Sequence, residues 1–258
     1  KFFINLGRQI LSSLYFFGGL ANLAAQTIYL AFTPPFKRDH IFEQAKKAGF
    51  DSLPIASLVS LFIGFIFALQ SAYLMQRMGS EIYIASLVAL SIVRELGPVI
   101  TAFVVAGRVG AAITAEIGSM QVTEQIDALE TLASNPIKYL VVPRFLALTI
   151  MLPLLTLYAD AIGIFGSYLI CVNKLGISSS MYMHITYEAL KYKDLFTGLF
   201  KAVFFGMIIA LVSCYEGFNV EGGAEGVGNA TRESVVKSFI MIIVADCFFT
   251  AIFYFIFP

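Results

Sequence analysis

An uncharged run of 25 residues, at positions 52–76, places the strongest constraint on what this chain can fold into. A helix needs about 20 apolar residues to cross the hydrocarbon core of a bilayer. Only 13% of the 258 residues are charged and 59% are hydrophobic, whereas about 25% are charged in an ordinary soluble domain. Too little polar surface remains to cover a water-soluble fold, so the sequence predicts an integral membrane protein.

Four further apolar segments are long enough to cross, and together with the first they predict five spans. The predicted spans are residues 52–76, 82–107 with an extension towards 118, 145–172, 195–215 and 238–257. No linker separates them. The predicted fold class is an all-α integral membrane protein, with one domain over residues 1–258 that comprises an N-terminal region at 1–50 and a five-span core at 51–258.

The segment 2–32 is also apolar enough to cross, but its polar residues form one stripe with helical periodicity. The stripe consists of Asn5, Arg8, Gln9, Ser12, Asn22 and Gln26, with Gly19 on the same face. This pattern is typical of a helix that lies in the plane of the membrane interface. We predict an interfacial helix here, and a sixth span is the alternative.

Loop charges predict the orientation, because lysine and arginine accumulate on the cytoplasmic side. Ten basic residues lie before span one, between spans two and three, or between spans four and five: Lys1, Arg8, Lys37, Arg38, Lys46, Lys47, Lys138, Arg144, Arg232 and Lys237. The opposite side carries Arg77, Lys174, Lys191 and Lys193. We therefore expect the N-terminus in the cytoplasm and the C-terminus outside.

Composition argues against several other classes of function. The formal net charge is zero, so no basic field favours nucleic acid. The three cysteines and two histidines are widely separated, which predicts neither a metal site nor a disulfide. The glycine-rich stretch 215–233 lacks the Lys-Ser/Thr pair of a phosphate-binding loop, and we expect a flexible cytoplasmic connector or partner contact there. If ATP drives this protein, a second chain must bind it.

Small residues recur at every fourth position in two of the predicted spans. They are Ala102, Ala106, Gly110, Thr114 and Gly118 in span two, and Ala159, Gly163 and Ser167 in span three. Such stripes let two helix backbones approach closely in lipid. The pattern fits packing within one chain and a subunit interface equally well.

The segment between spans two and three predicts a short amphipathic helix on the cytoplasmic side. One face carries Val122, Ile126, Leu129 and Ala133, another carries Glu124, Asp127 and Glu130, and Asn135 and Pro136 end the helix. Two interpretations remain open at this point. The helix is either a solvated loop helix or a docking element, with an apolar ridge for a groove and acids for a basic rim.

Five motifs together resemble the MlaE/YrbE permease family, the membrane subunits of bacterial ABC systems that move phospholipids between the inner and outer membranes. The motifs are VRELGPV (93–99), AGRVGAAITAEIG (106–118), TEQIDALETLASNP (123–136), VPR (142–144) and GVGNAT (226–231). They occur in the family's order, and the resemblance covers about residues 50–257. The stretch LQSAYLMQRMG (69–79) departs from some relatives in the position of its tyrosine.

The resemblance implies a homodimer in the bacterial inner membrane, with an interfacial helix and five spans in each protomer and the C-terminus in the periplasm. It also implies three kinds of partner: a separate ABC ATPase subunit that binds ATP-Mg, a periplasmic MCE-domain lipid-binding protein, and a small STAS-domain protein. The chain itself would be non-catalytic and would hold no cofactor or metal. Its implied role is to move phospholipids so that outer-membrane lipid asymmetry is maintained.

The resemblance also implies roles for individual residues. The predicted cytoplasmic helix resembles the family's coupling helix, which inserts into the ATPase; its contact residues here are Glu124, Ile126, Asp127, Leu129 and Glu130. The lipid chamber of the dimer would be lined by Leu69, Gln70, Tyr73, Arg94 and Glu95. We interpret Asp246 as a partnered buried acid, with gating as the alternative role.

Arg94 and Glu95 lie side by side inside span two, where each charge costs about 2.5–3.5 kcal/mol on insertion scales. One hypothesis is that each finds a partner on another helix, such as Asp160 or Asp246, and only holds the bundle together. The other is that both face a polar zone through which a lipid head group passes, with Arg94 bonding to phosphate. Pro98 should kink the helix nearby and free a backbone carbonyl.

Two rival functions use the same intramembrane acids. An ion-coupled secondary transporter of an amphiphile would carry protons on Glu95, Asp160 and Asp246, and a pH gradient would drive it without an ATPase. An intramembrane hydrolase would use Asp160 and Asp246 to activate water, but no glycine motif adjoins either aspartate. A purely structural membrane anchor is a further alternative, but it leaves the acidic cytoplasmic helix unexplained.

Overall fold

The computed structural model describes residues 2–34, 38–77, 79–80 and 83–256, and every regular element among them is helical. The elements are α1 (Phe2–Ala31), α2 (Arg38–Ala48), a 3-10 turn (Phe50–Ser52), α3 (Leu53–Arg77), α4 (Ile84–Val122), α5 (Gln125–Thr131), α6 (Ile137–Asn173), α7 (Ser179–Ala189), α8 (Tyr192–Phe218) and α9 (Gly223–Ile256). The 3-10 turn joins α2 to α3 as one helical stretch, Arg38–Arg77.

Five helical stretches are long and apolar enough to cross a membrane. They are Arg38–Arg77, Ile84–Val122, Ile137–Asn173, Tyr192–Phe218 and Gly223–Ile256. The predicted all-α fold class with five spans is thereby confirmed. The helices extend beyond the predicted limits because backbone hydrogen bonding continues past the apolar run. Ile82 and Phe257, at which one predicted span begins and another ends, lie outside the described residues.

The glycine-rich stretch 215–233 is not a flexible connector, which was one of our two predictions for it, and the other, a partner contact, stays a prediction. α8 continues to Phe218 and α9 begins at Gly223, so only a tight turn separates the two helices. Gly222 and Gly223 have φ values of 86° and 71°, which glycine adopts without steric cost. A Cβ on Gly226 would lie 1.8 Å from the carbonyl oxygen of Glu221. The glycines therefore serve a turn and a close backbone contact.

The stripes of small residues pack helices of the same chain against each other. Ala102 and Ala106 are at most 1% exposed in the single chain. A Cβ on Gly64 of α3 would lie 2.0 Å from the carbonyl oxygen of Gly163 in α6, so these two backbones are nearly in contact. Of the two readings that the sequence left open, packing within one chain accounts for these positions.

The C-terminal half of α1 packs on the helical bundle. The ring of Phe16 lies 5.4 Å from that of Tyr215 in α8, and a Cβ on Gly19 would lie 2.4 Å from the Tyr215 hydroxyl oxygen. Asn22 and Gln26 are exposed and share a 3.1 Å hydrogen bond. The side chains of Asn5, Arg8, Gln9 and Ser12 lie outside the described part of the chain. The interfacial position of α1 stays a prediction.

The amphipathic helix predicted between spans two and three is shorter than expected. Residues 122–133 do not form one helix, because Glu124 and Ala133 have φ values of 57° and 54° and interrupt the backbone at both ends. Val122 instead ends α4, and α5 spans only Gln125–Thr131. The predicted single apolar face from Val122 to Ala133 is therefore wrong, although a short helix does form at its centre.

Three π turns occur within the described helices: Ile92–Leu96 and Ala106–Gly110 in α4, and Ile137–Val141 at the start of α6. A π turn inserts one extra residue into an α-helix, and such turns are frequent at functional sites. The first contains Arg94 and Glu95, and the second contains Arg108. Three of the four charged residues of α4 thus lie where its backbone departs from regular geometry, and the fourth, Glu116, lies in regular α-helix.

Candidate functional site

A cluster of charged side chains joins α4, α8 and α9 inside the helical bundle. Its centre is Lys201 of α8, whose side chain is 1% exposed. The Lys201 Nζ donates to Glu95 Oε2 at 2.6 Å and to Thr250 Oγ1 at 2.7 Å. It also lies 2.8 Å from Asp246 Oδ1, as an ion pair rather than an aligned hydrogen bond. One buried cation thus holds two carboxylates from different helices.

A second ion pair lies beside the first. The Arg94 Nε donates to Asp194 Oδ1 at 2.6 Å, and a terminal nitrogen of the same guanidinium contacts that oxygen too. The other oxygen of Asp194 accepts the backbone N–H of Lys191 at 2.9 Å, which caps the first turn of α8. Asp194 is 3% exposed, whereas Arg94 is 55% exposed. Asp194 is therefore a fixed anchor, and Arg94 presents the open side of the pair.

The backbone of α4 contributes to the cluster because of its proline. Pro98 has no N–H, so the carbonyl of Arg94 one turn earlier lacks its helical donor. That carbonyl oxygen lies 3.4 Å from the Lys201 Nζ, which donates to it. Gly198 lets α8 come this close, since a Cβ there would lie 2.1 Å from the Val93 carbonyl oxygen. The prediction that Pro98 frees a carbonyl near the charged pair agrees with this contact.

The two ion pairs face a cavity of about 410 Å³. Its lining comes from α4, the start of α8 and the end of α9: Arg94, Glu95, Lys191, Lys193, Asp194, Thr197, Lys201, Thr250, Phe253 and Tyr254. Lys201 lies nine residues inside α8, about 14 Å from its first residue along the helix axis. The cavity therefore extends from one end of the bundle into the region that the apolar spans occupy.

The structure places the predicted chamber residues in two locations. Arg94 and Glu95 line this cavity. Leu69, Gln70 and Tyr73 lie on α3 with exposed side chains, and Tyr73 contacts the guanidinium of Arg77. In the single chain the cavity lining does not include these three residues. Their role in a lipid chamber stays a prediction.

The two acids that we suggested as partners differ in their contacts. Asp246 belongs to the cluster, but it reaches Glu95 through Lys201 rather than by pairing with Arg94. Asp160 is 4% exposed, and its Oδ1 has no hydrogen-bond partner among the described residues. It lies against Gly97, on which a Cβ would be 1.6 Å from that oxygen. Asp160 therefore takes no part in the charged cluster.

The sequence reasoning missed Lys201 and Asp194. Lys201 was present in the predicted span 195–215 as its one charged residue, and a lysine there requires a partner just as Arg94 does. Asp194 lies one residue before that span, where it looks like a loop acid. Searching every predicted span and its first turn for charges would have found both residues, although it could not have paired them.

The predicted coupling residues divide into buried and exposed groups. Ile126 is 5% exposed and Leu129 packs beside it, and both contact the hydrophobic core of this chain. Glu124, Asp127 and Glu130 are exposed. Asp127 and Glu130 line a cavity of about 650 Å³ that Leu23 and Gln26 of α1 also border. The apolar side chains thus fix α5 to the bundle, while the acids remain open to contact.

Two further arginines connect the opposite end of the bundle. Arg108 donates to the Oγ of the fully buried Ser52 at 2.7 Å. Arg144 is 4% exposed and lies 2.8 Å from Glu116, while another of its nitrogens donates to the Leu140 carbonyl at 2.7 Å. These contacts tie α4 to the start of α3 and to α6.

A chain with five membrane-length helices and a charged cavity between them is a polytopic α-helical membrane protein with an intramembrane polar site. Its sequence matches the family described as Permease MlaE over residues 41–252. The chain therefore belongs to the MlaE permease family.

Several named proteins are similar over most of this chain. A probable ABC transporter permease protein of Rickettsia prowazekii is 46% identical over 221 residues, which cover 86% of this chain and 85% of that protein. The intermembrane phospholipid transport system permease protein MlaE of Haemophilus influenzae is 34% identical over 256 residues, covering 98% and 97%. The chloroplastic protein TRIGALACTOSYLDIACYLGLYCEROL 1 of Arabidopsis thaliana is 40% identical over 212 residues, covering 82% and 61%.

Proposed function

We propose that this chain is the membrane permease subunit of an ABC transporter that moves phospholipids between the inner and outer membranes of a bacterium, maintaining outer-membrane lipid asymmetry. The observation that carries the proposal is the charged cavity between α4, α8 and α9 in a member of the MlaE permease family. The Haemophilus relative, similar over nearly the whole chain, is named for phospholipid transport.

The cavity has the chemistry that a phospholipid head group requires. The guanidinium of Arg94 is half exposed and can donate to phosphate oxygens, while Asp194 holds it in place. Glu95 is 40% exposed and can accept hydrogen bonds from an ammonium group. Because Lys201 offsets part of the charge of Glu95 and Asp246, the cavity stays polar without a large net charge.

Energy must come from a partner that binds ATP-Mg, since this chain is proposed to be a non-catalytic subunit. We infer that α5 is the coupling helix that contacts the ATPase. The exposed acids Asp127 and Glu130 of α5, and Glu124 just before it, suit a basic rim. Burial of Ile126 in the core of this chain links any movement of α5 to the spans. The contact side of α5 is then the acids together with Leu132, which is 78% exposed.

The loop charges support an orientation with the N-terminus in the cytoplasm and the C-terminus in the periplasm. In that orientation α5 is cytoplasmic and the charged cavity opens towards the periplasm. An MCE-domain protein at the periplasmic face would exchange lipid with it, and a second copy of the chain would complete the chamber. A STAS-domain protein bound to the ATPase completes the proposed assembly.

The proposal is tested by purifying the native complex and reconstituting it in liposomes that contain a fluorescent phospholipid. We expect an ABC ATPase to co-purify and lipid transfer to an acceptor to depend on ATP hydrolysis. Absence of an ATPase from the complex, or transfer that continues without ATP, would contradict the proposal.

The second candidate is an ion-coupled transporter of an amphiphile, and the buried Asp160 with its unpartnered oxygen favours it. This alternative requires transport driven by a pH gradient in the absence of nucleotide. In the same liposomes, Asp160→Asn would abolish such transport, whereas ATP-driven transfer should survive a substitution of similar shape.

A further inference from the structure

A strip of aromatic rings follows the contact between α8 and α9. It consists of Phe196, Phe200, Phe204, Phe249 and Phe253, and we call it the phenylalanine strip. The Phe200 ring lies 4.9 Å from that of Phe204, 5.6 Å from that of Phe249 and 5.5 Å from that of Phe253. The rings therefore form one continuous apolar surface rather than separate contacts.

The phenylalanine strip is still accessible along its length. Phe196 is exposed, and the other four rings are only partly buried. From Phe196 to Phe204 the strip extends about 12 Å along α8, the rise of eight helical residues. It therefore offers an open apolar surface that is long enough to contact part of one acyl chain.

The strip begins at the charged cavity. Phe253 lines that cavity, and its ring packs directly against Phe200. Phe200 also precedes the buried Lys201 in the chain, so the polar and apolar surfaces meet at adjacent residues of α8. A cavity that continues into an apolar strip has the form that an amphipathic molecule requires, with one charged end and one hydrocarbon end.

The charge of the cavity indicates which polar group fits. Four cationic residues line it, Arg94, Lys191, Lys193 and Lys201, against the carboxylates of Glu95 and Asp194 in the lining and of Asp246, which pairs with Lys201. The excess is positive, and Arg94, Lys191 and Lys193 keep exposed side chains. A phosphate ester is complementary to this set, because guanidinium and ammonium groups donate to its oxygens.

We propose that the phenylalanine strip binds an acyl chain of the phospholipid whose phosphate lies at Arg94 in the charged cavity. The inference rests on the proposed function and adds to it a hydrocarbon subsite on α8 and α9. The cavity selects for phosphate, and the strip selects for an acyl chain that turns from the cavity into the bilayer.

The test uses photolabelling of the assembled native complex in nanodiscs. The probe is a phosphatidylglycerol with a diazirine in the middle of one acyl chain, and a diacylglycerol with the same labelled chain lacks the phosphate. We expect the phospholipid probe to label peptides of α8 and α9 containing the strip. The diacylglycerol should label them about tenfold less, since it has no group for Arg94.

Variants then separate the strip from the rest of α9. Phe200→Ala with Phe249→Ala should lower labelling of these peptides about tenfold. Ile243→Ala with Phe255→Ala is the matched control, since it removes two exposed apolar side chains of α9 (55% and 81% exposed) outside the strip, and it should leave labelling unchanged. Arg94→Gln should reduce labelling by the phospholipid and leave the weak diacylglycerol labelling as it is.

Two results would overturn the inference while lipid transfer persists. One is that both probes label the peptides of the strip equally, or that the strip variant and its control variant are labelled equally. The other is no label on α8 and α9 in a complex that transfers lipid, as would occur if a second copy of the chain covered the strip. By contrast, if the complex neither binds nor transfers either probe, that result would contradict the proposed function itself.

Discussion

The charged cluster around Lys201 and the short helix α5 use their charged residues in opposite ways. In the cluster, cations and carboxylates from three helices meet inside one chain, and Lys201 is 1% exposed. On α5 the acids Asp127 and Glu130 point outwards, while the apolar Ile126 is buried. A charge that is satisfied within the chain stabilises the bundle and shapes a cavity, whereas exposed acids are free to be satisfied by another protein.

The largest effect is expected at the centre of the cluster. Lys201→Ala would leave Glu95 and Asp246 close together without their shared cation, and removing one partner of a buried ion pair costs about 3–5 kcal/mol. We expect a corresponding loss in the free energy of unfolding, measured by SDS titration of the purified protein. Lys201→Met combined with Glu95→Gln and Asp246→Asn should recover most of that stability, and failure to do so would show that charge balance is not the cause.

On α5 we expect a large effect on partner binding and almost none on folding. Changing Glu124, Asp127 and Glu130 to lysine should weaken binding to the ATPase about a hundredfold, since like charges would then face a basic rim. Glu188→Lys, at an exposed acid of α7, is the control and should not change that affinity. Affinity is measured by biolayer interferometry on nanodiscs, and unchanged binding would make α5 a solvated loop helix.

An intermediate effect is expected where α8 approaches the π turn of α4. Gly198→Ala would place a methyl group 2.1 Å from the Val93 carbonyl oxygen, and the forced displacement should cost about 1–3 kcal/mol. Gly228→Ala on α9 meets nothing within 4 Å and is the matched control. If both variants unfold at the same SDS concentration, the close contact that positions Lys201 does not limit stability.

The smallest effect should come from Arg94→Lys. The lysine keeps the positive charge near Asp194 but loses the planar fork of donors that guanidinium presents to phosphate. We expect lipid transfer to fall about threefold, with normal expression and assembly. A rate equal to that of the unchanged protein would indicate that charge alone matters at this position.

The sequence predicted the spans well because hydrophobic runs report directly on burial in lipid. It also located Arg94 and Glu95 as residues that need partners, and Pro98 as the source of a free carbonyl. The partners of Lys201 could not be predicted, since Glu95, Asp246 and Thr250 all lie far from Lys201 in the chain, on two other helices. Lys201 itself is evident in the sequence as a charged residue within a span, and like Arg94 it should have been expected to need a partner.

The errors at 215–233 and 122–133 have a common physical cause. Glycine content was read as flexibility, but Gly222 and Gly223 adopt positive φ in a tight turn between two long helices. Glu124 and Ala133 adopt positive φ as well, although neither residue type favours it strongly. The helical spacing of apolar residues in the sequence therefore extends beyond the residues at which the helix itself ends. Local pattern carries little information about such dihedral angles, because surrounding contacts decide them.

By itself the sequence determined that this chain enters a membrane, how many times it can cross, and which charged residues within the spans require a polar or oppositely charged partner. The cost of moving charge or backbone polar groups into hydrocarbon is a local property of each segment, and it can be read one segment at a time. Only the tertiary structure decided that Lys201 joins Glu95 to Asp246, that Asp160 stands apart, and that Arg94 opens onto a cavity. Those outcomes depend on which helix faces meet, and that is set by the packing of all the helices together.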